Sequence, residues 1–294
     1  MGDDYNQGAL PPDLDEPLFE GFSEVLRPGD RAVDGPLVDA RTGEPTTLAA
    51  LWAGDHLVVE FGSGTCPPSH AASPALDAIA ADLAPRSVQV LLIYVREAHP
   101  GEHRPPHRTL QDKVRAARRT VDAWGIERPV YADALDGYLH RHYGLLPHMA
   151  WVIERGGRVA FKASWTDPRL LRTAAEQLLY EEALGDVRTR AYQVEWQPRL
   201  PVDDEATLRD LAASGPSAVR QYLEAVRTAR GPAAARPRPG GRPTAAGEPS
   251  VTVAGQVGDA RIAGSLAGVD ERAVRSPRAR NRGTPVAVAG HRVA

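Results

Sequence analysis

The chain has 294 residues, 42% of them hydrophobic, a net charge of −3 and a single cysteine. That length suits one ordinary domain with extensions, or two small ones; one cysteine excludes an intramolecular disulfide, and a pI near 6.3 points to no polyanionic partner. No run approaches the roughly 18 apolar residues that cross a bilayer, and the acidic stretch from Met1 to Pro17 has no apolar h-region, so the expectation is a soluble, cytoplasmic protein with no membrane partner.

Residues 1–26 read as an acidic, Pro-containing lead in which Leu18, Phe19, Phe22 and Leu26 can form one short helix. Leu37–Ala40 and Pro45–Leu48 flank a turn at Gly43, a hairpin pattern. Leu48–Trp52 suits a helical turn, and His56–Phe61 a central strand. Ala71, Leu76, Ile79 and Leu83 supply the apolar stripe of a helix. Val88–Val95 is nearly all apolar, as in a parallel strand buried on both faces. Thr109 can cap a helix over Leu110–Trp124, with Gln111 and Asp112 in its first turn. Val130–Ala132 reads as a strand, and Asp136–Tyr143 as a short helix stopped near Gly144. Ala150–Ile153 and Arg158–Phe161 form a second hairpin across Gly156-Gly157, and a helix over Pro168–Leu184 closes the domain.

Parallel β-α-β connections followed by an antiparallel hairpin and a helix describe a thioredoxin-like α/β sandwich with a central mixed sheet, over residues 27–185. Residues 186–230 carry two helical patterns, Glu205–Ala213 and Ser217–Arg230, and read as a helical appendage. Residues 231–294, with ten Arg against four acidic groups and almost no Leu or aromatics, cannot offset their ordering entropy and read as a disordered tail. The tail lacks the aromatic interleaving of a single-strand binder, so no nucleic-acid partner is expected.

The stretch with chemistry is Val58-Val59-Glu60-Phe61-Gly62-Ser63-Gly64-Thr65-Cys66-Pro67-Pro68. It runs from a buried strand, through two glycines, to a proline suited to a first helical turn. Cys66 is thereby expected at a helix N-terminus, where free N–H groups and the dipole favour thiolate over an ordinary thiol of pKa about 8.5. The competing reading is a small buried hydrophobe. Glu97 and His99 follow the neighbouring parallel strand, so topology brings them to the same sheet edge as Cys66; Glu97 can orient an imidazole, and His99 or His107 can pass a proton. His99, His103 and His107 recur every fourth residue, but Pro100, Pro105 and Pro106 break any helix there, and no metal is expected. His140, His142 and His148 read as surface residues.

The motif Phe61-Gly62-Ser63-Gly64-Thr65-Cys66-Pro67-Pro68 resembles the selenocysteine motif of the iodothyronine deiodinases, with Cys66 at the selenocysteine position. Ile93–Pro100, containing Glu97-Ala98-His99, and His107–Arg118 resemble two further segments of that family in the same order. The resemblance covers about residues 55–180. It implies that Cys66 is the nucleophile, that Ser63 and Thr65 stand beside the substrate, and that Glu97, His99 and His107 serve substrate binding and proton delivery. It implies reductive removal of iodine from an aryl ring, with no bound cofactor and an external thiol, thioredoxin or a low-molecular-weight thiol, as reductant. A homodimer is compatible with it. The sequence departs from the pattern in three ways. Gly64 stands where the family often has a second Cys, Met149 where it has an Arg thought to contact substrate, and the family's N-terminal membrane helix is not expected. Pro147 lies where thioredoxin-like folds often carry a cis-proline.

Three functions remain open at this point: a deiodinase-like reductase attacking halogen or another soft electrophile, a one-Cys peroxiredoxin-like peroxidase, and a non-enzymatic binding module with an inert Cys66. Thr65 directly before Cys66 does not match the peroxidatic Thr-x-x-Cys spacing.

Overall fold

The computed structural model describes residues 5–8, 21–185, 192–194 and 205–229. Leu18 and Phe19 of the lead, and the tail from 231, lie outside them. The strands are β1 Pro36–Asp39, β2 Pro45–Thr47, β3 His56–Gly62, β4 Val88–Tyr94, β5 Val130–Asp133, β6 Ala150–Glu154, β7 Arg158–Ala163 and β8 Tyr192–Val194. They form one mixed sheet in the order β2-β1-β5-β4-β3-β6-β7-β8. β3, β4 and β5 are parallel, β6 and β7 form the antiparallel hairpin on the other side of β3, and β1 pairs antiparallel with β5. β8, parallel to β7, had no counterpart in the sequence reading; three residues are too few for a period to register.

The helices are α1 Leu48–Trp52, α2 Pro67–Leu83, α3 Leu110–Trp124, α4 Tyr138–Tyr143, α5 Pro168–Ala183, α6 Glu205–Ser214 and α7 Pro216–Ala229. α2 starts four residues before the expected Ala71, because Pro67 and Pro68 fit its first turn, and α4 starts at Tyr138 rather than Asp136, after a left-handed Gly137. α3 has the expected ends: the Thr109 hydroxyl and the Asp112 carboxylate cap each other's backbone N–H groups, and Gly125 stops it at φ 64°.

The alternation of strand residues sends side chains to two cores. Leu57, Val59, Phe61, Leu91 and Ile93 pack with Leu139, Tyr143 and Trp151 on one face, while Val58, Val90 and Val152 meet Leu76, Ile79 and Leu171 of α2 and α5 on the other. The lead docks on the first core: Phe22 is buried, and its carbonyl accepts from the buried Lys162 Nζ at 2.7 Å. Tyr5 hydrogen-bonds His140 Nδ1 at 2.8 Å through its hydroxyl. His140 and His148 are buried, contrary to the surface placement expected for them; His142 is exposed. The described residues contain no cis peptide bond, so Pro147 is trans. No helix among the described residues is long and apolar enough to cross a membrane.

α6 and α7 form the two-helix appendage, and it packs over the sheet edge that carries Cys66. His70 of α2 stacks on Trp124 at 4.5 Å and bonds both Asp210 oxygens at 3.0 Å. The His103 N–H donates to the Ser214 carbonyl at 3.0 Å, and the Ser217 hydroxyl to Glu102 at 2.8 Å.

Candidate active site

β3 and β4 run parallel and in register from His56 opposite Val88 to Gly62 opposite Tyr94, so the segments that follow them leave the sheet side by side. The first carries Ser63, Thr65 and Cys66; the second carries Glu97 and His99. Three hydrogen bonds tie the two together. The Ala98 N–H donates to Ser63 Oγ at 3.1 Å, the His99 N–H to Thr65 Oγ1 at 3.0 Å, and Thr65 Oγ1 in turn to Glu97 Oε2 at 2.8 Å.

Glu97 is the hub of the site. Its other oxygen accepts from the Tyr94 hydroxyl at 2.5 Å and from His107 Nε2 at 3.1 Å, and both the Glu97 and His107 side chains are 2% exposed. Burial alone would raise the Glu97 pKa; the hydrogen bond and charge of His107, with the Tyr94 and Thr65 hydroxyls, outweigh it and hold the carboxyl below its usual range. The sequence reading thus placed Ser63, Thr65, Glu97 and His107 correctly in one cluster. His99 joins it only through its backbone: its ring turns edge-on to Tyr222 of α7 at 5.8 Å. Burial pushes its imidazole down to about 4, so it is neutral at pH 7. His99 Nδ1 and His107 Nδ1 are both buried with no hydrogen-bond partner among the described residues. Such nitrogens are natural contacts for a ligand or an ordered water.

Cys66 is the N-cap of α2, as expected, but its charge state is not. The residue is 3% exposed. Burial pushes the thiol up from 9.0 to about 11; Ser69, by its hydroxyl and backbone N–H, opposes this, and the charges of Glu60 and Glu97 add to it. The expected thiolate is therefore corrected to a protonated thiol in the empty site.

Gly64 explains the absent second thiol. A Cβ there would lie 2.2 Å from Arg104 Nη1, 2.2 Å from Thr120 Oγ1 and 2.9 Å from the Tyr94 hydroxyl. Arg104 donates to Thr120 at 3.0 Å, and the Gly64 N–H donates to the Tyr94 hydroxyl at 3.0 Å, so the space is taken by a polar bracket under the motif.

The sequence reading missed Tyr94, Ser69, Glu60, Arg128 and His148. Glu60 had a signal: a carboxylate inside an otherwise apolar strand requires a buried cation. That cation is Arg128, whose Nη2 donates to Glu60 Oε2 at 2.7 Å with both side chains essentially inaccessible. Nothing in the sequence paired the two across 68 positions. Among the described residues no cluster of three or more His, Cys, Asp or Glu forms a metal site.

A single thiol capping the helix that follows a central parallel strand, faced by groups from the end of the next strand, defines a thioredoxin-like protein with a one-cysteine site. Residues 19–168, a little over half of the chain, match the family model described as Iodothyronine deiodinase, and the chain belongs to that family. It is 27% identical over 158 residues to the type II iodothyronine deiodinase of Aquarana catesbeiana, a match covering 47% of this chain and 60% of that protein. It is 31% identical over 117 residues to the thyroxine 5-deiodinase of Gallus gallus, covering 35% of this chain and 45% of that one. The chain thus spans about half the length of the curated relatives it matches. Similar solved structures include a hypothetical protein of Sinorhizobium meliloti 1021 (23% identity, 53% of this chain and 85% of that chain, TM-score 0.43). Another is a putative thiol:disulfide interchange protein of Chlorobium tepidum (21% identity, 53% and 97%, TM-score 0.41).

Proposed function

We propose that the protein is a deiodinase-like, thiol-dependent oxidoreductase in which Cys66 is the nucleophile toward an aryl halide or a related soft electrophile. The observation that carries this reading is the hydrogen-bonded array Thr65–Glu97–His107, which ties the residue beside Cys66 to a carboxylate and an imidazole from the neighbouring strand. Family membership supports the same residues in the same order.

In this reading the Cys66 thiolate attacks the halogen. The sulfur–halogen bond forms, the carbon–halogen bond breaks, and the carbon takes a proton supplied through the His107–Glu97 pair. An external thiol then displaces halide from sulfur, giving a mixed disulfide, and a second thiol frees Cys66. The net change is one aryl halide and two thiols to arene, disulfide and hydrogen halide. His99 Nδ1 and His107 Nδ1 are the groups offered to the substrate. Regeneration by thioredoxin or a small thiol suits a reducing compartment, and we place the protein in the cytoplasm on that ground.

The buried, protonated state of Cys66 favours one second reading, a binding module in which the thiol only packs. Iodide release from aryl iodides with added dithiol, in wild type and Cys66→Ser, separates the two. Release lost in Cys66→Ser supports the reductase. Absence of release and of alkylation at any pH leaves the module. Peroxide-dependent sulfenic acid at Cys66 without dehalogenation would move the assignment to a peroxidase.

A further inference from the structure

The Thr65–Glu97–His107 array lies on one side of Cys66, and a second buried polar chain, in which no role has been assigned, lies on the other. Ser69, in the first turn of α2, gives its hydroxyl and backbone N–H to the Cys66 sulfur. The same hydroxyl is 2.9 Å from His148 Nδ1. His148 Nδ1 is also 3.4 Å from Glu60 Oε1, with both side chains 1% exposed. Glu60 Oε2 is paired with Arg128, whose other arm binds Asp77 at 2.7 Å and the Ser73 carbonyl and hydroxyl at 3.2 and 3.1 Å. The chain is built for this contact: a Cβ at Gly62 would lie 2.6 Å from Ser69 Oγ, so only a glycine there leaves room for the hydroxyl.

We propose that Ser69 and His148 form a proton relay for Cys66, with Ser69 touching the sulfur and His148, a positioning residue, receiving the proton against the Glu60–Arg128 pair. The inference rests on Cys66 being the nucleophile. In the step, the Cys66 S–H proton passes to Ser69 Oγ as the Ser69 proton passes to His148 Nδ1. The products are a thiolate that accepts from Ser69 and an imidazolium between Ser69 and the Glu60 carboxylate. No electrons move and no co-reactant is needed.

The groups that face this path are few. Glu60 comes from β3 and Ser69, Ser73 and Asp77 from α2. Arg128 precedes β5, and Glu97 acts on the sulfur from beyond β4. Trp165, after β7, stands edge-on to the His148 ring at 5.0 Å, and Thr166 donates to the His148 carbonyl through its N–H at 2.9 Å and its hydroxyl at 3.2 Å. Glu60 is the carboxylate placed to stabilise an imidazolium at His148: burial raises its pKa, but the bond to His148 and the charges of Arg128 and His148 bring it below the usual range.

The test is the pH dependence of Cys66 alkylation by iodoacetamide in the full chain, for wild type, Ser69→Ala, His148→Gln and the double variant, with a thermal melt for each. The relay predicts that each single variant alkylates about tenfold more slowly near pH 8, with its midpoint displaced upward by about one unit. It also predicts that the double variant is no slower than the worse single one, since both break the same path. A folded Ser69→Ala or His148→Gln variant that keeps the wild-type profile overturns the relay, as does additivity of the two. Should His148→Gln fail to fold, Ser69→Ala alone decides by the same criterion. A wild-type thiol that never alkylates overturns the relay and the nucleophile reading together, whereas a titrating thiol indifferent to Ser69 and His148 overturns the relay alone.

Discussion

His99→Phe isolates the cost of keeping one imidazole neutral. In the folded protein burial holds His99 at about 4, against 6.5 when it is solvated. Between those values the unfolded chain binds a proton that the folded chain refuses. Stability attributable to His99 is therefore complete above pH 6.5 and is lost as pH falls through the window. At ~1.4 kcal/mol per unit, the loss amounts to about 2 kcal/mol at pH 5 and at most about 3 kcal/mol at the bottom of the window. Phe keeps the edge-on contact with Tyr222 and removes both the titration and the orphaned Nδ1. His140 is also pushed down by burial and loses stability with the same sign, but it is present in both proteins and cancels in the difference. Glu60 and Glu97, held low in the fold, lose theirs only below the usual carboxylate range. Urea unfolding at pH 7.5 and pH 5.0 measures the effect: the variant should gain about 2 kcal/mol on wild type between the two. Parallel pH dependences would refute the buried, neutral imidazole.

Three further outcomes follow from the same geometry. Gly64→Cys, which would restore the family's second thiol, should cost about 1–3 kcal/mol because its Cβ meets Arg104 and Thr120; thermal melts of G64C and of G64C with Thr120→Ala check it, the latter recovering part of the loss. Thr65→Val removes both the donor to Glu97 and the acceptor of the His99 N–H, and leaving two buried polar groups unpaired should cost about 2–4 kcal/mol in urea unfolding. Glu97→Gln removes a negative charge that raises the Cys66 thiol pKa, so alkylation should quicken even as dehalogenation with added thiol falls; slower alkylation in that variant would show that Glu97 serves as the thiol's base instead.

The elements were legible where two independent signals agreed. α3 carried an amphipathic period, a capping pair and a terminal glycine, and its ends were found as read. The motif after β3 and the loop after β4 met at one edge because parallel strands in register leave no other choice. What stayed illegible was depth. Cys66, His140 and His148 sit in short polar stretches between elements, where no period exists to tell inside from outside, and each proved buried. The covering layer is the reason for part of it. α6 and α7 were read as helices, but only the contacts of Asp210 with His70, and of Tyr222 with His99, place them over the site. Long-range polar pairs were equally silent. Glu60 announced a need for a cation, and its partner Arg128 carried no local mark of the answer.

The state of Cys66 follows from comparing magnitudes. A helix N-terminus is worth about 0.3–1 kcal/mol to an anion at an exposed site and about 2 at best. The thiol stands about two units above 9.0 even with the Ser69 hydroxyl and N–H bonded to it, a net penalty on the thiolate of about 3 kcal/mol. Burial and two nearby carboxylates therefore outweigh the helix terminus, and the N-cap position that reads as activating does not by itself make an active thiol. Two things can close a gap of that size. One is a group that takes the proton nearby, which the Ser69–His148 path offers without a buried charge being created alone, since the imidazolium forms against Glu60. The other is a ligand that engages the free nitrogens of His99 and His107 and so withdraws the Glu97 charge from the sulfur. Both make thiolate formation conditional on what occupies the site, and a protein with no second thiol beside Cys66 gains from that condition, because its only nucleophile stays protected until a substrate is in place.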